Sequence, residues 1–235
     1  MDKSLSFLIP EPEKYLKKRK SGVVNLMFTA LCVEATRQID EGFDVRSIET
    51  AAKQAFNVPE GFLTEMEKVG IGKAIEFMEY LSDDSDADDP FYSFYHNFFT
   101  PGPAAQEKLK KYRESQDKSV ITWIPFNDRN KDAGDFMLVD MLKRRFQAVA
   151  FVIASDILGS EVAKINEIDS LCKKYLGWKK GPFVMMNEIK IKNVMQMVTE
   201  RMELSHRREI NFPIPRCLID QAMKNAPWAT EKGSS

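Results

Sequence analysis

Two histidines and three cysteines are all the imidazole and thiol chemistry available in 235 residues. His96 lies inside a run of aromatic residues and reads as structural. His206 stands beside Arg207 and Arg208 at a charged helix end and reads as a surface group. Cys32, Cys172 and Cys217 are far apart, odd in number and form no C-x-x-C pair. Buried reduced thiols in a cytoplasmic protein are expected. Serine, cysteine and lysine nucleophiles all lack a visible base partner. Glu65 and Glu67 stand at i, i+2 and point to different helix faces, so they do not form a carboxylate pair. Residues 82–89 carry five Asp in eight positions. Asp84, Asp86 and Asp88 fall at positions 1, 3 and 5 of a calcium loop, but Asp89 occupies the place of the turn Gly and Tyr95 that of the bidentate Glu. That segment reads as a loop, and no metal site is expected.

Dinucleotide chemistry fails on glycine. The chain has 11 glycines and no G-x-G-x-x-G turn. Gly70 and Gly72 form a close pair, with Ile75 where a third Gly belongs, and no βαβ pattern precedes them. No cofactor-binding residues are therefore assigned. A charge balance of 34 basic and 35 acidic residues argues against a general nucleic-acid binder. An apolar fraction of 43% supports a sizeable core. No run of apolar residues is long enough to span a membrane, and the first ten residues do not read as a signal peptide. Lys17, Lys18, Arg19 and Lys20 read as a solvated lead-in. The closing Gly233-Ser234-Ser235 reads as a cloning remnant, which makes the chain a candidate piece of something longer.

Helical periodicity dominates what remains. Val24, Met27, Phe28, Leu31, Ala35 and Ile39 predict a helix over 23–41, ended by Gly42. Asp44 is placed as the N-cap of a second helix over 45–56. A third helical stretch covers 62–81, broken near Gly70. Phe91, Tyr92, Phe94, Tyr95, Phe98 and Phe99 form an aromatic cluster that packs its rings on the helices or offers a partner surface. A connector follows, with a short helix at 104–114 and a β-like patch at 120–124 too short to make a sheet. A long apolar helix then covers 136–158.

The second half repeats the first at a shift of 120 residues. Val45 pairs with Ile165, Ile48 with Ile168, Glu49 with Asp169, Lys53 with Lys173, Gly61 with Gly181 and Val69 with Ile189. Two copies of one helical unit, packed about a pseudo-dyad, are expected. The assigned divisions are a lead-in at 1–20, a first unit at 21–81, an insert and connector at 82–135, a second unit at 136–228 and a tail at 229–235.

The spacing of the turns carries a resemblance. Val23-Val24-Asn25-Leu26 is followed by Glu34-Ala35, Glu41-Gly42, Ile48-Glu49, the turn Asn57-Val58-Pro59-Glu60-Gly61-Phe62-Leu63, and Met66-Glu67-Lys68-Val69-Gly70. The second unit has the turn Gly177-Trp178-Lys179-Lys180-Gly181-Pro182-Phe183. This resembles the C-terminal domain of the L-3-hydroxyacyl-CoA dehydrogenases, present twice in tandem, over residues 22–80 and 150–220. The family starts its first helix with V-N-R-L and turns on G-[YF]-P-x-G-P-F. Here Leu26 replaces the Arg, Phe62-Leu63 replaces Pro-Phe, and Lys179 replaces the first Pro of the second turn.

The resemblance implies an all-α fold of two related units, like the C-terminal domain of 6-phosphogluconate dehydrogenase, with an irregular connector. It implies NAD-dependent oxidation of a 3-hydroxyacyl-CoA to the 3-oxoacyl-CoA, within fatty acid β-oxidation. The His–Glu pair and NAD belong to a Rossmann domain, so this chain is expected to bind no NAD and to be inactive alone. A Rossmann domain or subunit, acyl-CoA and homo- or hetero-oligomeric contacts are the implied partners. One functional residue carries over. Asn25 matches the Asn that orients the acyl carbonyl, a role for a non-titrating amide; a backbone-capping role at the helix start is its alternative. A non-catalytic helical protein assembling with acyl-CoA enzymes is the competing reading, motivated by residues 82–103.

Overall fold

The computed structural model describes residues 19–83, 96–125, 135–207, 212 and 214–230. The acidic run from Asp84 on, Phe91 to Tyr95, the side chains of the basic lead-in and the final Gly-Ser-Ser lie outside these residues. Eleven α-helices and no strand occur among the described residues: α1 Arg19–Asp40, α2 Val45–Phe56, α3 Phe62–Val69, α4 Ile71–Ser82, α5 His96–Phe99, α6 Pro103–Glu114, α7 Phe136–Gly159, α8 Ile165–Tyr175, α9 Pro182–Ile189, α10 Ile191–His206 and α11 Arg216–Lys224. The β-like patch at 120–124 forms no strand: Val120 closes a 3₁₀ turn, Lys118–Val120, and the chain then bends at Trp123 and Ile124, which are buried. None of the 11 helices is long and apolar enough to cross a membrane, among the described residues.

Local chemistry sets the boundaries. The Asp44 carboxylate accepts from Arg46 and Ser47 N–H at the start of α2. Asp135 does the same for Met137 and Leu138 at the start of α7. These caps satisfy donors that a first helical turn leaves without partners. α1 ends in a Schellman motif: Phe43 N–H donates to Gln38 C=O at 3.1 Å and Gly42 N–H to Ile39 C=O at 2.9 Å. α7 ends in the same motif, with Val162 donating to Ile157 and Glu161 to Leu158.

The repeat is structural as well as sequential. α1 to α4 are answered in order by α7 to α10, and α3 and α9 are both 8 residues long. Even the left-handed turns recur. Gly42 (φ +88°) is answered by Glu161 (+58°), Asn57 (+54°) by Gly177 (+69°), and Gly70 (+99°) by Lys190 (+74°).

The two units interlock. Each long helix is the hub of its own unit and is covered by the short helix of the other: α8 packs on α1, and α2 packs on α7. In consequence α1 is buried on every side over residues 23–38, and α7 over 145–155. Helices buried all round normally carry no polar face. These two carry Asn25, Thr29, Glu34, Arg37, Arg145 and Gln147 into the core. The junction is sealed by Phe56 stacked on Trp178 (4.0 Å between centroids, 16°), by Phe62 against Phe146, and by Lys179 N–H donating to Phe56 C=O.

Candidate functional site

Asn25 sits inside α1, six residues after its first residue Arg19, so it does not cap the helix start. It is 1% exposed, and among the described residues neither its amide oxygen nor its amide nitrogen has a hydrogen-bond partner. Each such buried, unsatisfied polar group costs about 1–3 kcal/mol. Leu26, where the family keeps Arg, is buried beside it in sequence. Its place within the helix, with no hydrogen bond to the chain among the described residues, does not fit the capping alternative.

The two carboxylates paired by the repeat do the same work in both units. Glu49 reaches from α2 to the start of α3 and accepts from Gly61 N–H (2.8 Å), Leu63 N–H (2.6 Å) and Thr64 N–H (3.1 Å). Asp169 reaches from α8 to α9 and accepts from Phe183 N–H (2.9 Å) and Val184 N–H (3.3 Å). They are helix caps supplied from a distance. This explains the glycines of the two turns. Gly61 and Gly181 have ordinary negative φ, but a Cβ would lie 2.5 Å from the Glu49 carboxylate oxygen in one case and 2.2 Å from Asp169 Cγ in the other. Close approach, not a left-handed backbone, requires glycine there. Burial raises both carboxyls above their ordinary values despite the donors, Asp169 to about 6.

A third constellation joins the units. Glu34, fully buried in α1, accepts from Arg145 Nε of α7 at 2.8 Å, from Arg201 Nε and Nη2 of α10 at 3.0 and 2.6 Å, and from Gln38 at 3.1 Å. Arg145 turns its other two nitrogens onto Glu41 as a fork, at 2.5 and 2.8 Å. Arg201 also donates to Ser205 Oγ. Burial alone would raise the Glu34 carboxyl, but Arg145 and Arg201 hold it down to about 2. Burial, reinforced by Arg201, pushes Arg37 down to about 9; its guanidinium donates to the carbonyls of Asn97 and Phe98. This cluster was not among the sequence candidates. The signal was present: Glu34 lies three residues after Leu31, and Arg145 three after Leu142, so both stand on faces otherwise apolar.

The remaining candidates resolve as packing. Gly70 makes a turn, and Gly72 faces the Tyr112 ring, where a Cβ would lie 2.3 Å away. Glu67 accepts from Trp123 and Ile124 N–H, whereas Glu65 pairs with Lys68. Phe98 and Phe99 are fully buried, edge to face at 5.2 Å. Cys32 and Cys172 are buried, Cys217 is half-buried, and burial raises all three thiols. His206 is exposed at the end of α10. Among the described residues no group of three or more His, Cys, Asp or Glu could hold a metal. Nor does any strand-turn-helix unit there offer NAD a seat.

The described residues form two duplicated, interlocked, all-helical units whose polar core joins their long helices. The model of the 3-hydroxyacyl-CoA dehydrogenase C-terminal domain matches the chain twice, over residues 23–115 and 141–233, and the chain belongs to that family as two tandem copies. Both matches are to the C-terminal domain, with none to a Rossmann domain. No curated protein and no solved structure matches the chain.

Proposed function

We propose that this chain is the substrate-side and dimerisation region, or a subunit, of an NAD-dependent 3-hydroxyacyl-CoA dehydrogenase. A separate Rossmann domain would bring NAD and the proton-transferring pair. The observation that carries this reading is Asn25. The resemblance matches it to the family's carbonyl-orienting Asn, and its buried amide has two hydrogen-bonding atoms without partners among the described residues. A substrate carbonyl accepting from Nδ2 would satisfy the donor, and a donor from substrate or partner would satisfy Oδ1. The amide then fixes the acyl group without titrating, which is orientation rather than proton transfer.

The experiment is titration of acetoacetyl-CoA into the purified chain and its Asn25→Ala variant, followed by turnover assays with and without an added Rossmann domain. Binding that weakens about tenfold in the variant is expected, matching the loss of one hydrogen bond. No turnover of 3-hydroxybutyryl-CoA is expected until the Rossmann domain is added. Turnover by the chain alone, or no acyl-CoA binding at all, sinks the proposal.

One observation favours the second reading, a non-catalytic interaction protein that assembles with acyl-CoA enzymes. Asn25 is 1% exposed, and Leu26 has replaced the neighbouring Arg. Under that reading Asn25→Ala stabilises the chain, because an unsatisfied amide is removed, and acyl-CoA binding is absent in both proteins.

A further inference from the structure

The duplicated unit extends beyond its four answering helices. α6 packs on α1 and α4 as α11 packs on α7 and α10, and each of the two is followed by a segment that carries a buried Trp. Trp123 and Trp228 are 6% and 7% exposed. Both are gripped in the same way. Lys108 of α6 donates at 2.7 Å to the carbonyl before Trp123, that of Thr122. Gln221 of α11 donates at 2.9 Å to the carbonyl before Trp228, that of Pro227. Glu67 of α3 accepts from Trp123 N–H at 2.5 Å, and Asn187 of α9 accepts from Trp228 N–H at 2.7 Å. Glu67 and Asn187 themselves stand at the 120-residue shift of the repeat.

What the two segments share is the Trp. α6 ends at Glu114 and α11 at Lys224, so Trp123 and Trp228 are reached over connections of different length. Thr122 and Ile124 flank the first, Pro227 and Ala229 the second. A grip that works with different flanks and different routes reads an indole and the backbone at its root. Peptide sites work in this way: main-chain bonds hold the segment, and a pocket for one side chain selects it. The second segment is held by neutral groups. Among the described residues, 226–230 hydrogen-bond to the helices only through Asn187 and Gln221. Glu67 and Lys108 bring charge to the first segment, and charge-assisted bonds are about twice as strong. Asn187 also donates to Trp228 C=O at 3.0 Å, so one amide closes both backbone groups of that residue. The indole stands edge to face on Phe183, with centroids 5.0 Å apart. Pro227 and Ala229 stay exposed, which leaves Trp228 as the anchor.

We propose that Phe183, Asn187 and Gln221 form a peptide-binding site for a short, non-helical, Trp-bearing segment of a partner protein, which residues 226–230 occupy here as an internal competitor. The site involves neither Asn25 nor acyl-CoA, so it stands or falls apart from the dehydrogenase reading. The test is fluorescence anisotropy of a labelled peptide of residues 225–230 with the full chain carrying Trp228→Ala, which removes the anchor and keeps the site. The peptide is expected to bind this variant at micromolar concentration. It is expected to bind the wild type about tenfold more weakly, because the chain's own segment competes. Adding Asn187→Ala to the variant, or replacing the peptide's Trp by Ala, is expected to weaken binding about tenfold or more. The proposal is overturned by no binding to the Trp228→Ala chain, by equal binding to that chain and the wild type, or by binding indifferent to Asn187 or to the peptide's Trp. Amide hydrogen exchange of the unsubstituted chain decides the matter should Trp228→Ala lose helicity by circular dichroism. Trp228 N–H is expected to exchange by local opening, about a hundredfold or more faster than amides in the middle of α7. Exchange no faster than in α7 would make 226–230 an inseparable part of the core and overturn the proposal.

Discussion

At the scale of residues, the charges in the core separate function from architecture. Glu34 is fully buried between Arg145 and Arg201, and removing one member of such a cluster leaves the others uncompensated. Glu34→Gln is therefore expected to cost about 3–5 kcal/mol in urea unfolding. The sign with pH follows from the direction of the shift. The folded-state carboxyl lies near 2 against an ordinary 4.5, so its contribution is present above 4.5 and lost as pH falls toward 2. Asp169 runs the other way. Its folded value of about 6 lies above the ordinary 3.8, so its contribution is present below 3.8 and lost as pH rises through 6. Urea midpoints measured across pH should then flatten on the acid side in Glu34→Gln and between 4 and 6 in Asp169→Asn. Unchanged profiles would remove the electrostatic account of both sites.

At the scale of elements, each start and stop has a named cause, and the duplicated units show which causes are strained. The turn between α3 and α4 uses Gly70 at φ +99°; its counterpart between α9 and α10 uses Lys190 at φ +74°, ψ +132°. A side chain in that region costs about 1–3 kcal/mol. Lys190→Gly should accordingly raise the melting temperature, with most of that energy recovered, and leave helicity unchanged. A lowered melting temperature would mean that Lys190 makes contacts worth more than its strain. Much of this level was legible in the sequence. The Asp44 cap, the limits of α2 and the break at Gly70 follow from local signals. The reason for Gly61 and Gly181 was not legible, because it depends on a carboxylate 12 residues earlier folding back onto the turn.

At the scale of the whole molecule, two units that cover each other's hub helices should not unfold separately. α1 without α8, or α7 without α2, would expose apolar surface on a helix built to be buried all round. Calorimetry should therefore show one transition with matching calorimetric and van't Hoff enthalpies. Two resolved transitions would show that the interlock is weaker than the units. The same interlock explains how a chain made of repeated C-terminal domains forms a common core across its two copies.

What the sequence determined alone was everything carried by period and spacing. That covers the helical class, the duplication at 120 residues, the family likeness of the turns, and the lack of a dinucleotide turn. These are local patterns, written within a few residues of where they act. Only the tertiary structure decided that α1 is enclosed on every side, that Asn25 holds two atoms without partners among the described residues, and that Glu34 meets Arg145 and Arg201 at separations of 111 and 167 residues. A charge on an apolar face can be seen in one dimension. Whether it finds its counter-charge depends on which helices the packing brings together.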